Sequence, residues 1–144
     1  MSDQLKLEEC VSFIAAKTFQ RINKRARELL KPLGVSPAQC GLLIPLWAKD
    51  GQSSVELGDT LKLDSATMTG LIDRCEALEI VQRRADETDR RRSRIWLTDK
   101  GRGLEMQITK AERLLNVEVE EVIGDDTHAF LQSLLVLSEI KTSE

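Results

Sequence analysis

Between Leu5 and Leu33 the apolar side chains fall at Val11, Ile14, Ala15, Phe19, Ile22, Ala26, Leu29, Leu30 and Leu33, with Thr18 on the same face. Steps of three and four residues predict a long amphipathic helix, ended by Pro32 and Gly34. Ser36 and Pro37 then read as an N-cap followed by proline at the first helical position. The helix they open carries Leu42, Leu43, Leu46 and Trp47 and stops near Asp50 and Gly51. Pro45 lies inside it and should either kink it or displace its boundary. Ser53 to Leu61 predicts a short helix with Leu57 and Leu61 on one face and Gly58 allowing close approach of a neighbour. A tight connection at Lys62-Leu63-Asp64 follows, with Asp64 or Ser65 as the next N-cap. Met68, Leu71, Ile72, Cys75 and Leu78 then form the stripe of a further helix. Two short helices joined by such a turn make a helix-turn-helix.

After Glu79 the period changes. Ile80 to Arg84 and Arg94 to Thr98 are rich in branched and aromatic residues and predict two strands. The polar stretch between them, Ala85 to Ser93, is too long for a tight turn and should project as a flexible loop. Helix-turn-helix followed by such a hairpin is a winged helix. Thr98 and Asp99 cap a second long helix, striped by Leu104, Ile108, Ala111, Leu115 and Val122 and broken at Gly124-Asp125-Asp126. The last helix, His128 to Ile140, is apolar on nearly every side. A monomer would leave that surface wet, so part of it should be covered by a partner chain. The expected fold is therefore mainly α, a winged helix-turn-helix with long N- and C-terminal helices.

Composition narrows the class. The chain has 144 residues, 41% hydrophobic and 31% charged, which suits one globular domain with a dimerisation appendage. Eight glycines and three prolines are too few for a loop-rich all-β fold. No apolar run approaches the ~18 residues that span a membrane, and the first residues lack a secretory signature, so a soluble, cytoplasmic protein is expected. Three widely spaced cysteines, Cys10, Cys40 and Cys75, form neither a disulfide framework nor a Cys-x-x-Cys zinc motif. They read as reduced, mostly buried thiols, with a redox role for Cys10 as the alternative. His128 is the only histidine and reads as part of a helix cap. Without a ligand-spaced cluster or a Gly-rich phosphate loop, no metal, no cofactor and no enzymatic activity is expected.

Net charge is −3, which alone argues against nucleic acid. The distribution reverses that impression. Residues 1–35 carry a net +3 and residues 104–144 a net −6, while Arg90, Arg91, Arg92 and Arg94 fill four of five consecutive positions.

Two stretches carry a resemblance to the MarR family of bacterial transcription regulators. Asp89-Arg90-Arg91-Arg92-Ser93-Arg94-Ile95-Trp96-Leu97-Thr98-Asp99-Lys100-Gly101 resembles the family's wing: Asp, any residue, Arg, then a strand ending Leu-Thr-x-x-Gly. Leu63 to Arg74 is similar to its recognition helix. The resemblance covers nearly the whole chain and implies a homodimer. Residues 1–34 and 104–144 would supply the dimerisation helices, and residues 36–101 the winged helix-turn-helix, each protomer meeting half of a pseudo-palindromic operator. It also implies Arg91 at the wing tip and an Asp89–Arg74 pair tying wing to recognition helix. A small aromatic or anionic effector would bind between the dimer helices and the winged domain, near Phe13, Lys17, Ile44 and Trp47, though Phe13 and Trp47 also suit a core. The chain departs from the family in three places. Glu79 stands where relatives close the recognition helix with Gly, tyrosine is absent, and Cys10 precedes the cysteine position of the organic-hydroperoxide-sensing branch.

In that setting the chemistry is readable. A helix beginning Ser65-Ala66-Thr67-Met68-Thr69-Gly70 suits the major groove of double-stranded DNA. Its N–H groups and hydroxyls, Ser65 among them, could meet phosphates, and Thr67 and Thr69 a base edge or a thymine methyl. Helix capping is the competing role for these hydroxyls, and Met68 reads as core. The wing arginines suit a narrow minor groove, with Arg90, Arg92 and Arg94 adding phosphate contacts beside Arg91. Four clustered arginines repel one another unless an anion accepts them. The leading expectation is a sequence-specific repressor relieved by a small ligand. The alternatives are a winged-helix protein-interaction module whose wing meets an acidic partner, and a redox-sensing regulator using Cys10.

Overall fold

The computed structural model describes residues 4–142; the outermost ends of the ranges 1–34 and 104–144 lie outside it. The predicted first helix divides at Cys10, whose backbone is extended at φ −89° and ψ 100°. A 3-10 turn, Leu7–Glu9, comes before the break and helix α1 (Val11–Leu30) after it. The Glu9 carboxylate accepts the Lys6 N–H at 2.9 Å, closing that turn on itself. A second 3-10 turn and Gly34, left-handed at φ 73°, end the segment where Pro32 and Gly34 predict.

Helix α2 (Pro37–Ala48) starts at Ser36 with a reciprocal cap. Ser36 Oγ accepts the Gln39 N–H at 3.3 Å, and Gln39 Oε1 accepts the Ser36 N–H at 2.8 Å. Its axis turns 71° from that of α1. Pro45 does not end it; the helix runs on to Ala48. Cys40, Leu42, Leu43 and Leu46 are all buried, so α2 is the central rod of the protomer.

The helix-turn-helix follows as α3 (Ser54–Leu61) and α4 (Ser65–Ala77), with Asp64 as the N-cap of α4. Strands β1 (Gln52–Ser53), β2 (Val81–Ala85) and β3 (Ser93–Leu97) form an antiparallel sheet in the order β1-β3-β2. Val81 pairs with Leu97 and Ala85 with Ser93. Strand β1 is not foreshadowed in the sequence, because its two residues carry no alternation and depend on pairing with Arg94 and Ile95. Beyond the sheet, α5 (Asp99–Gly103) and α6 (Glu105–Ile123) replace the single predicted helix, separated at Leu104. The helix α7 (Thr127–Leu137) follows the predicted break at Gly124–Asp126. No single helix among the described residues is long and apolar enough to cross a membrane.

The core lies within the winged helix, where Leu42, Leu43, Leu46, Leu57, Ile72, Ile80 and Ile95 are almost wholly buried, joined by Leu30 and Ile108. The outer helices contribute little. In α1 only Ala26 and Leu30 are buried, in α6 only Ile108 and Leu115, and in α7 none. Phe13, Ile14 and Phe19 of α1, Leu114 and Val117 of α6, and Leu131, Leu134 and Leu135 of α7 all stand exposed. One ion pair ties α1 to α6: Arg25 grips Glu118 with two bonds, at 2.6 and 2.8 Å.

The turn between α4 and β2 is closed by a glutamate. Glu79 adopts a left-handed φ of 58°, the conformation glycine takes at no cost. The Ile80 N–H reaches the Cys75 carbonyl at 3.1 Å and the Glu79 N–H reaches that of Glu76 at 2.8 Å, a complete Schellman closure. Thr98 Oγ1 donates to the Glu79 carbonyl at 2.6 Å and Lys100 Nζ to that of Leu78 at 2.7 Å. The turn keeps its geometry with glutamate and bears the strain. Glu79→Gly is expected to stabilise the fold by about 1 kcal/mol, read as a rise in the thermal midpoint.

Candidate functional site

Helix α4 presents one face to the core and the other to solvent. Met68, Leu71, Ile72 and Cys75 are buried, while Ser65, Ala66, Thr67, Thr69 and Arg74 are exposed. Met68 is therefore a core residue. The hydroxyls of Thr67 and Thr69 are engaged within the helix start. Asp64 accepts the Thr67 N–H at 2.8 Å and the Thr67 hydroxyl at 2.9 Å, and Thr69 Oγ1 donates to the Ser65 carbonyl at 2.9 Å. These bonds to Thr67 hold the Asp64 carboxyl below its ordinary range. A carboxylate thus caps the Thr67 N–H at the helix start, the capping role that competes with DNA contact for these residues.

The wing is more ordered than the sequence implies. Its base is gathered on one buried carboxylate, that of Asp86. Asp86 Oδ1 accepts the Thr88 N–H at 2.8 Å, the Thr88 hydroxyl at 2.7 Å and the Asp89 N–H at 3.3 Å. Its Oδ2 takes Arg94 Nε at 2.6 Å, and the Asp86 N–H closes the loop on the Arg92 carbonyl at 2.9 Å. Those donors, Thr88 foremost, hold the Asp86 carboxyl far below the usual carboxylate range. Nothing in the sequence marks Asp86, because its role exists only once the loop has closed.

Two expectations from the sequence change as a result. Arg94, expected among the phosphate-seeking wing arginines, points inward: besides Asp86 it donates to the Gly51 carbonyl at 2.9 Å and lies 3.8 Å from Glu56. It is a strut joining wing, β1 and α3. The second change concerns Arg74 and Asp89, which do not pair. Asp89 accepts the Arg91 N–H at 3.1 Å and lies 3.6 Å from Arg92 Nε. The wing hairpin is tied to α4 by Arg83 of β2, which reaches Asp73 at 2.7 Å and pairs with Glu76. Glu76 also accepts the Arg83 N–H at 3.1 Å. Arg90 and Arg91 are exposed and have no acidic partner among the described residues. Behind them, Arg84 lies over the Trp96 ring, 5.3 Å from its centre.

The residues proposed for an effector are divided within the protomer. Lys17 Nζ stands 5.9 Å above the Phe13 ring on the exposed face of α1, and Ile44 is exposed. Trp47 packs against the core and donates its indole N–H to the Gly101 carbonyl at 3.1 Å. Cys40 and Cys75 are buried, and burial pushes both thiols up to about 12, as expected of inert core cysteines. Cys10 is half-buried at the N-cap of α1. No group of three or more His, Cys, Asp or Glu that could hold a metal occurs among the described residues.

The Asp86 hub makes a pH prediction. Its carboxyl titrates lower folded than unfolded, where the value is about 3.9. Stability from this group is therefore complete above that pH and is lost as the pH falls below it. Asp86→Asn should be less stable at neutral pH and flatten the acid limb of a thermal-midpoint-against-pH curve. An acid limb identical to that of the wild type would count against the hub.

Comparison with known proteins places this geometry. The model of the MarR family matches residues 35–93, from just before α2 to the start of β3. The HTH-type transcriptional regulator TtmR of Methylorubrum extorquens is 37% identical over 102 residues, 71% of this chain; the match spans about half of that relative, 52%. The HTH-type transcriptional regulator YsmB of Bacillus subtilis is 32% identical over 117 residues, 81% of this chain and 80% of the relative. Among solved structures, the transcriptional repressor CouR bound to a 23-mer DNA duplex superposes with a TM-score of 0.78 over 96% of this chain and all of that one, at 24% identity. CouR of Rhodococcus jostii has also been solved with p-coumaroyl-CoA. The relatives are transcriptional regulators, not enzymes.

Proposed function

Because this chain belongs to the MarR family of DNA-binding transcriptional regulators, we propose that it is a homodimeric repressor of a pseudo-palindromic operator, released by a small ligand. The observation that carries the reading is the wing: a loop fixed on Asp86, with Arg90 and Arg91 exposed and lacking any acidic partner among the described residues. Ordering such a loop in advance lowers the entropy cost of docking it. In this reading α4 lies in the major groove with Ser65, Thr67 and Thr69 at base edges. Arg91 enters the flanking minor groove, and Arg90 and Arg92 neutralise phosphates.

Residues 36–101 are the DNA-binding unit, and the helices on either side of them are the dimerisation region. The exposed apolar faces of α1, α6 and α7 support that division, since such surface is costly to leave in water. The protein is then a cytoplasmic dimer. A partner's α1 could bring Phe13 and Lys17 towards Ile44 and Trp47, making a site for an aromatic or anionic effector. CouR, solved with both DNA and an acyl-CoA, is the precedent in fold. Such an effector relieves repression only by binding the DNA-free conformation more tightly.

Fluorescence anisotropy on DNA from immediately upstream of the gene, beside a scrambled duplex, tests the reading. Preference for the upstream DNA by ~10³-fold or more is expected, with a dimer by sedimentation. Equal, weak binding to both, alongside salt-sensitive binding to an acidic protein, would favour a protein-interaction role. DNA binding that responds to oxidant in the wild type and not in Cys10→Ser would favour the redox alternative.

A further inference from the structure

The end of α1 and the turn that follows it form a shallow, open cleft of about 610 Å³ against α2 and α4, whose nine lining residues include Arg27, Lys31, Ser36, Gln39, Arg74 and Leu78. Three of the nine are cations, set on an otherwise mostly apolar floor. The carboxylates near enough in sequence to neutralise them are already taken. Glu28 pairs with Arg25 at 3.3 Å, Asp73 with Arg83 at 2.7 Å, and Glu76 with Arg83 as well. Arg27, Lys31 and Arg74 form no ion pair among the described residues, and all three are exposed. Arg27 uses only its Nε, on the Asn23 carbonyl at 3.4 Å. The Arg74 guanidinium reaches back along α4 to Gly70, within 3.3 Å of where a Cβ would stand. Such a cluster is repulsive by itself and attractive only to an anion.

Its position says which anion. Arg74 shares α4 with the side chains assigned to base edges. Its guanidinium, folded back to the level of Gly70, stands five residues, or roughly 8 Å at 1.5 Å per residue, along the axis from Ser65, close to the ≈ 8.5 Å depth of the major groove. A helix that enters by its N-terminus therefore carries Arg74 to the level of the sugar-phosphate backbone. Arg27 and Lys31 line the same cleft from α1 and the turn after it.

We propose that this cleft is a second, sequence-independent DNA contact, in which Arg27, Lys31 and Arg74 take backbone phosphates at the edge of the major groove that α4 enters. The inference rests on the functional reading above. It adds to that reading two residues of α1 and its C-terminal turn that lie outside the winged helix altogether.

The test is the salt dependence of binding by the full-length protein. Removal of one phosphate contact reduces the magnitude of the log K against log [salt] slope by ~0.9. Across the two protomers of the dimer Arg27→Ala/Lys31→Ala removes four such contacts, and it is expected to flatten the slope by about 3.6 and to weaken binding to upstream and scrambled duplexes by the same factor. Lys110→Ala/Arg113→Ala removes equal charge from a different cleft, on α6, and should leave the slope unchanged. Circular dichroism confirms that the exposed substitutions leave the fold intact. An unchanged slope in Arg27→Ala/Lys31→Ala, with wild-type protein still selecting the upstream DNA, overturns the cleft contact and leaves the regulator standing. Equal flattening in the α6 variant overturns it too, because bulk charge then accounts for the effect. Wild-type protein that binds neither duplex overturns both.

Discussion

Gly101→Ala is expected to destabilise the fold by about 3 kcal/mol, the upper end of ordinary overpacking. A Cβ at that position would stand 2.1 Å from the Ile80 carbonyl oxygen and 3.1 Å from its carbon. Both are backbone atoms of the segment leading into β2, and neither can swing away as a side-chain tip would. The same carbonyl accepts the Thr98 N–H at 3.2 Å, and the Gly101 carbonyl accepts the Trp47 indole N–H. Displacing α5 would therefore break a strand contact and a core hydrogen bond together. This is the physical content of the Leu-Thr-x-x-Gly pattern: Thr98 caps the helix through the Gly101 N–H at 3.0 Å, and glycine lets that first turn touch the sheet. Thermal unfolding at fixed protein concentration should show a fall of roughly ten degrees, at 2–4 °C per kcal/mol for a chain of this size. A shift within about two degrees would mean that α5 can move without the sheet.

Arg91→Ala should cost about 1–3 kcal/mol of operator affinity, a factor of roughly five to a hundred and fifty, while leaving the thermal midpoint unmoved. Its side chain is exposed, and only its backbone N–H is used, by Asp89. Arg94→Ala should behave in the opposite order. It strips the charge partner from the buried Asp86 and a donor from the Gly51 carbonyl, so the thermal midpoint falls and DNA binding weakens as a consequence. Measuring both quantities on both variants separates a residue that touches DNA from one that holds the residues that do. If Arg94→Ala lost affinity at full stability, the strut assignment would be wrong.

The contrast between these two arginines also explains what is readable from the chain. Local signals are reliable where the physics is local. Ser36-Pro37 announces a helix start, Gly34 a stop, and the stripe Met68, Leu71, Ile72, Cys75 a buried face. The winged helix follows from the change of period after Glu79. Arg94 looks like one more member of a basic run, because a sequence shows neighbours along the chain only. Its neighbours in space, Asp86, Gly51 and Glu56, come from a loop and two other elements. The same limitation hides Arg83, whose partners are on α4, and β1, which exists only as the third strand of a sheet. The breaks at Cys10 and Leu104 interrupt helices whose apolar stripes continue across them, so periodicity passes over both. Arg27 and Lys31 look like ordinary charge on an amphipathic helix, and only the packing of α1 against α2 and α4 brings them beside Arg74.

The wing divides its labour between side chains that hold its shape and side chains at its tip that hold nothing. Asp86 and Arg94 fix the loop, whereas Arg90 and Arg91 make no side-chain bond to the rest of the described protein. Substitutions at the tip are thereby released from the threshold that folding imposes on most positions. Descendants of this chain could exchange tip residues one at a time and drift towards a new operator without passing through an unstable ancestor. Changes at Asp86 or Arg94 would need a compensating partner to arrive at the same time.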